Sequence, residues 1–238
     1  MAGKKRLMYD LVALKLRLKQ IGGIVFNTFF FAVTLFVPAG TIRWPRAWIF
    51  LGVVSLGTAL TMFVLPEELL NERYKPPVQY GQPLFDQIGI FAFVGSFVAA
   101  VLFIPFDVFR LHLLRPPGTV TSIFGLALFA AGWTLITVAM RANAFAAPVV
   151  RHQEERGQRV IDSGPYRFVR HPMYSAVIPL LVGMSLWLGS FAGAIVAIVP
   201  TVLIGIRAML EEKFLCRELP GYAEYITRTR FRMIPYVW

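Results

Sequence analysis

The sequence predicts an all-α fold: a polytopic helical membrane protein of about six transmembrane helices, the last two forming a helical hairpin. Three observations predict it. The 238 residues are 57% hydrophobic and only 16% charged, whereas soluble domains run at roughly 45–50% apolar and about 25% charged. The apolar residues gather into runs of membrane-spanning length. Of the 24 lysines and arginines, all but Arg43, Arg46, Arg110 and Arg115 fall on one side of those runs, the asymmetry that marks cytoplasmic loops.

Taken in order, residues 4–20 interleave Lys4, Lys5, Arg6, Lys15, Arg17 and Lys19 with Leu7, Leu11, Leu14 and Leu18. That pattern predicts a basic amphipathic helix over 1–20, lying on an anionic membrane face. A hydrocarbon core about 30 Å thick needs roughly 20 apolar residues in helix. Four runs meet this, at 21–39, 47–65, 87–106 and 119–140. Pro76-Pro77 and Pro116-Pro117 break the chain between spans. The stretch 173–206 is too long for one span and carries Gly189-Ser190 at its middle. It reads as a tight two-span hairpin, with one long tilted helix as the alternative. The chain thus divides into an interfacial segment 1–20, a four-helix membrane region 21–140 and a region 141–238 that carries the polar motifs. The positive-inside rule puts both termini in the cytoplasm, on the same side as those motifs.

Composition excludes several classes. The net charge of +11 belongs to the loops and calls for no nucleic acid. The single Cys216 allows neither an intrachain disulfide nor a cysteine metal cluster. His112, His152 and His171 lack ligand spacing, so no metal is expected. Neither a dinucleotide glycine motif, a phosphate-binding loop nor a nucleophile elbow is present.

Two polar segments carry the chemistry. In the first, Gly157, Gly164 and Pro165 allow sharp bends, and Arg170-His171-Pro172 ends one conformation and starts a helix. His171 at that start can exchange hydrogen bonds or approach a carboxylate. Tyr166 and Tyr174 offer hydroxyls and aromatic faces, which attract cations. In the second, Arg207 and Glu211 stand one helical turn apart and share a face, with Glu212 on the next face round. They continue directly from an apolar run. Ionisable groups at a membrane boundary face a partner or a ligand. The carboxylate suits a ribose or amino group, and the arginine suits a bidentate grip on a carboxylate. The tail with Tyr222, Tyr225, Arg228, Arg230, Arg232 and Pro235 reads as an interfacial cap.

In combination, Gly164-Pro165-Tyr166, Arg170-His171-Pro172-x-Tyr174, Glu211-Glu212-x-x-Leu215 and Tyr222-x-x-Tyr225 resemble the integral-membrane methyltransferases. These are the protein-S-isoprenylcysteine O-methyltransferases and the phospholipid N-methyltransferases. The resemblance covers about residues 150–238. It implies S-adenosylmethionine as methyl donor in a cytosol-facing pocket, with a lipophilic or prenylated substrate arriving from the membrane lipid. Carried over by position, Gln158, Arg159, Val160, Ile161, Tyr166, His171, Pro172, Met173, Tyr174 and Glu211 would bind the donor. Arg207 would hold a substrate carboxylate, and Arg207 and His171 would be the catalytic pair. Arg151 stands where the family can place a glutamine, and Ser175 where a glycine is common. Carboxyl methylation of an isoprenylcysteine-like substrate is the leading expectation because Arg207 is present.

Two other classes compete. The membrane sterol reductases also carry an Arg-His-Pro-x-Tyr stretch, and their tails are similar to Cys216, Tyr225, Arg232 and Pro235, which would imply NADPH. A transporter or assembly subunit would instead need a charged residue at mid-bilayer, and none stands out in the sequence.

Overall fold

The computed structural model describes the backbone of residues 2–238 and the side chains of Leu14 and of residues 16–238. The basic face expected over 1–20 therefore falls largely outside the described side chains. The backbone there is part of one continuous helix, α1 (Ala2–Ala39), where the sequence suggested a separate interfacial segment ending at residue 20. Only Gly22-Gly23 stands near the expected boundary, and glycine weakens a helix by about 1 kcal/mol without ending it.

Helix α2 (Pro45–Val64) opens on a proline at its first turn, a position whose N–H has no helical partner anyway. The short α3 (Glu67–Arg73) follows. Helix α4 (Leu84–Phe106) continues into a turn of π-helix over Asp107–Leu111, and α5 spans Thr119–Ala142. Five segments are long and apolar enough to cross a membrane: Leu16–Ala39, Pro45–Val64, Leu84–Leu111, Thr119–Ala142 and Phe191–Glu218. A sixth apolar segment, Pro172–Leu188, is shorter. The protein is an integral, multi-pass membrane protein.

The long apolar run folds as a hairpin. Its first arm is α6 (Pro172–Ser175) and α7 (Val177–Leu188); its second is α8 (Phe191–Val196) and α9 (Ile198–Glu218). Gly189 turns the chain with φ of +105°, a conformation that glycine adopts without a Cβ clash. Ser190 then caps α8 by accepting from the Gly193 N–H at 2.7 Å. The Ser190 hydroxyl also donates to buried Asp107 at 2.5 Å, tying the turn to the end of α4. Each arm is interrupted once, at Ala176 and at Ala197. Pro179 and Pro200 follow these breaks by three residues, and neither has the N–H needed to continue the ladder. A last short helix, α10 (Tyr222–Arg228), precedes the tail. Among the described residues the only extended pairing is an isolated bridge between Val169 and Phe231.

The largest apolar core joins Leu35 of α1, Phe50 and Val54 of α2, Val101 and Ile104 of α4, Phe129 of α5, and Leu181, Met184 and Leu188 of α7. Helices α5 and α7 cross in direct backbone contact. A Cβ built on Gly183 would stand 2.5 Å from the Gly125 carbonyl oxygen and 2.5 Å from the Phe129 nitrogen. Small residues at such crossings let backbones approach in a medium that offers no hydrophobic drive between helices. Gly183→Ala should lower the melting temperature in detergent, since overpacking costs about 1–3 kcal/mol. Gly52→Ala, with nothing within 4 Å of the added methyl, should leave it unchanged. Equal melting of the two variants would contradict the close crossing.

Candidate active site

A cavity of about 450 Å³ opens where α4, α5, α7 and α9 meet the segment after α5. Its apolar end is walled by Ile90, Phe93, Val94 and Phe97 of α4, with Ile136, Leu180 and Ile204 opposite. Its polar end contains Tyr166, His171, Tyr174 and Glu211. Val94 is 47% exposed on the outer face of α4, so the apolar wall reaches the surface that lipid would cover.

The residues picked out in sequence converge here. Gln158, Arg159, Val160, Ile161, Tyr166, His171, Met173, Tyr174, Arg207 and Glu211 all line the cavity. Pro172 is buried but does not line it. Its part is local: as the first residue of α6 it starts the helix that presents Met173 and Tyr174. Gln158 is held by the Gln153 N–H, which donates to its side-chain oxygen at 2.8 Å. Gln153 is itself buried and donates to the Phe145 carbonyl at 2.9 Å.

The polar end is one connected network. Tyr174 donates its hydroxyl to Glu211 Oε2 at 2.6 Å and accepts from Arg207 Nη1 at 2.8 Å. Arg207 and Glu211 therefore communicate through a phenol rather than as an ion pair. The Tyr174 ring stacks on His171, with centroids 5.2 Å apart and planes within 7°. His171 Nε2 lies 3.1 Å from Glu212 Oε1. Glu211 Oε1 receives no donor among the described residues and is left to the cavity.

Of three further groups at this end, the sequence named only Glu212 and gave it no role. The first is Asp86, in the first turn of α4 and fully buried. It receives Arg207 Nε at 2.7 Å, Gln82 Nε2 at 2.8 Å and the Val150 N–H at 2.8 Å. Arg207 Nη2 donates to the Pro148 carbonyl at 2.9 Å. The arginine expected to wait for a substrate carboxylate thus already holds a carboxylate of this chain. The second is Glu212. It is the hub for Arg170 at 2.6 Å and Arg232 at 2.9 Å as well as His171. Helical spacing set it apart from Glu211, but nothing local showed that two arginines and a histidine would meet it. The third is Arg73 at the end of α3, which lines the cavity from outside both motif segments.

The tail is more than a cap. The Arg170 and His171 N–H groups donate to the Phe231 and Arg232 carbonyls, both at 2.9 Å. Arg170 Nη1 reaches the Thr229 and Arg230 carbonyls, and Ser175 donates to the Met233 carbonyl at 2.6 Å. Tyr225 donates to the Tyr166 carbonyl at 2.7 Å, which braces the turn after Gly164. Burial pushes the Tyr166 phenol up to about 12, so it enters any chemistry as a neutral hydroxyl. Arg151 pairs with Glu155 at 2.7 Å and touches Glu72 at 3.5 Å.

Residues 120–219 match the family model for phospholipid methyltransferase. The chain is thereby consistent with an integral-membrane methyltransferase family, and the apolar helices agree with it. A comparison with curated proteins returned no match. The methyltransferase match runs from α5 almost to α10. It contains His171, Tyr174, Arg207, Glu211 and Glu212, and it leaves Asp86 and Arg73 outside.

Proposed function

We propose that the protein transfers the methyl group of S-adenosylmethionine to a lipophilic acceptor that reaches the cavity from the bilayer. The observation that carries this is the single cavity joining a polar network at the membrane edge to an apolar wall on α4. Its volume lies within the roughly 300–1,000 Å³ usual for small-molecule sites. Its groups suit the donor chemically: aromatic faces for a sulfonium, and a carboxylate with one oxygen open for an ammonium or ribose. Both termini would be cytoplasmic, giving the polar end access to a soluble donor.

S-adenosylmethionine supplies an already activated methyl group, so the protein's task is orientation and exclusion of water. Positioning of this kind is worth about 7–11 kcal/mol. Glu211, held by Tyr174, would fix the donor; Gln158 to Ile161 and Met173 would line it; the His171–Tyr174 stack would orient the reacting groups. A carboxylate acceptor attacks without losing a proton. An amine or thiol must lose one, and His171 or Glu211 is within the cavity to take it.

For the acceptor, an isoprenylcysteine-like carboxylate is supported by the N–H groups that Arg207 retains beyond its three bonds. A lipid amine is the second reading. It is favoured because Asp86 already neutralises Arg207 and because the matching family methylates phospholipids. Radiolabelled donor with a farnesylcysteine analogue or with phosphatidylethanolamine vesicles separates them. A base-labile label on the first supports the carboxylate, and a base-stable label on the second supports the amine.

The function is tested by calorimetry on detergent-purified protein, with S-adenosylmethionine and NADPH added separately. Binding of the first alone is expected. Glu211→Ala should weaken it roughly 10–150-fold, the value of a hydrogen bond to a charged group. Binding of NADPH alone would move the protein to the reductases, and unchanged affinity in Glu211→Ala would remove that residue from the donor site.

A further inference from the structure

Arg73 is the last residue of α3 and lines the cavity, as do Arg151 and Phe145. Its Nη1 donates to the Ala146 carbonyl at 3.1 Å. Among the described residues, its remaining N–H groups have no hydrogen-bond partner and no carboxylate forms an ion pair with it. Burial lowers its pKa from the ordinary guanidinium value, yet arginine stays charged in proteins. Its unpaired nitrogens are not sealed off, so an anion in the cavity can reach them. Arg151 adds to this. Its Nε is buried without any hydrogen-bond partner, although its terminal nitrogens reach Glu72 and Glu155. The same cavity is lined by the opposite charge, the Glu211 carboxylate. A carboxylate and a guanidinium facing one space fit a ligand bearing an ammonium and an anionic group.

We propose that Arg73, together with Arg151, is an anion subsite of this cavity that takes the carboxylate or phosphate oxygens of the bound ligand. This rests on the reading of the cavity as a methyl-transfer site. The anion is either the donor's amino-acid carboxylate or an anionic group of the acceptor. Arg73 comes from α3, outside the matched segment, and Arg151 from within it, so the subsite joins the two halves of the chain.

Donor affinity is measured by calorimetry for the wild type, Arg73→Gln and Arg73→Lys, using S-adenosylmethionine and its decarboxylated analogue; acceptor KM is measured alongside. If the anion is the donor's, the wild type should favour the full donor over the analogue roughly tenfold or more. Arg73→Gln should abolish that preference, with Arg73→Lys intermediate. If it is the acceptor's, donor affinity should hold while acceptor KM rises by a similar factor. The wild-type comparison needs no variant to fold, and melting temperatures identify any variant that does not. Unchanged donor preference and unchanged acceptor KM in a folded Arg73→Gln overturn the subsite. A wild type that binds no donor at all overturns instead the methyl-transfer reading.

Discussion

Glu212→Ala should destabilise the protein by about 3–5 kcal/mol, the loss seen when one partner is removed from a buried ion pair. Glu212 is buried, and Arg170, His171 and Arg232 all converge on its two oxygens. Alanine would leave the two arginines together, beside His171, with no carboxylate between them. Arg170 would keep the Thr229 and Arg230 carbonyls, which are dipoles and not charges. Glu212→Gln keeps an acceptor oxygen and should lose less. The effect should be local at first: amide exchange at Arg170 and His171, whose N–H groups hold the tail, should rise more than in α5 or α7. Melting of Glu212→Ala within a degree of the wild type, with unchanged exchange at these two amides, would mean that the hub holds nothing.

Arg207→Met should cost a comparable amount, about 3–5 kcal/mol, because it leaves Asp86 buried with a charge and no cation. Asp86→Asn alone should cost less, since an amide still accepts from Gln82 and the Val150 N–H. The double variant should be more stable than Arg207→Met alone, giving a coupling of about 0.5–3 kcal/mol between contacting partners. Both single variants should lower turnover. Arg207 is the donor to the Tyr174 hydroxyl, and Asp86 fixes where that guanidinium points. Strict additivity in melting, with full turnover in Asp86→Asn, would show the pair to be incidental to the site.

The sequence carried the spans well, because an apolar run of span length has few alternatives in a bilayer. The Gly189-Ser190 break was readable because glycine and serine each have a defined place in a helix-to-helix turn. The polar motif was readable for a similar reason: Gly164-Pro165-Tyr166 and Arg170-His171-Pro172 are local turn and helix-start signals. What escaped was pairing across distance. Asp86 looks like the edge of a loop, and its partner lies 121 residues away. Helical geometry put Arg207 and Glu211 on one face, but the phenol placed between them comes from another helix. Glu211 and Glu212 are adjacent in sequence, and their different surroundings are set by Tyr174 on one side and by Arg170 and Arg232 on the other. No backbone break marks residue 20, since α1 runs on to Ala39, and amphipathicity shows where a helix would rest, not where its backbone stops.

The distance between Asp86 and Arg207 also sets an order of events in the growing chain. At about 5–20 residues per second, the guanidinium emerges roughly 6–24 s after its carboxylate. Through that interval α4 holds an acidic side chain whose partners, Gln82 and then the Val150 N–H, carry no charge. The site around Asp86 is therefore complete only once α9 delivers the arginine. A chain halted after α5 would keep its four spans and be left with an unmatched acid at the membrane edge.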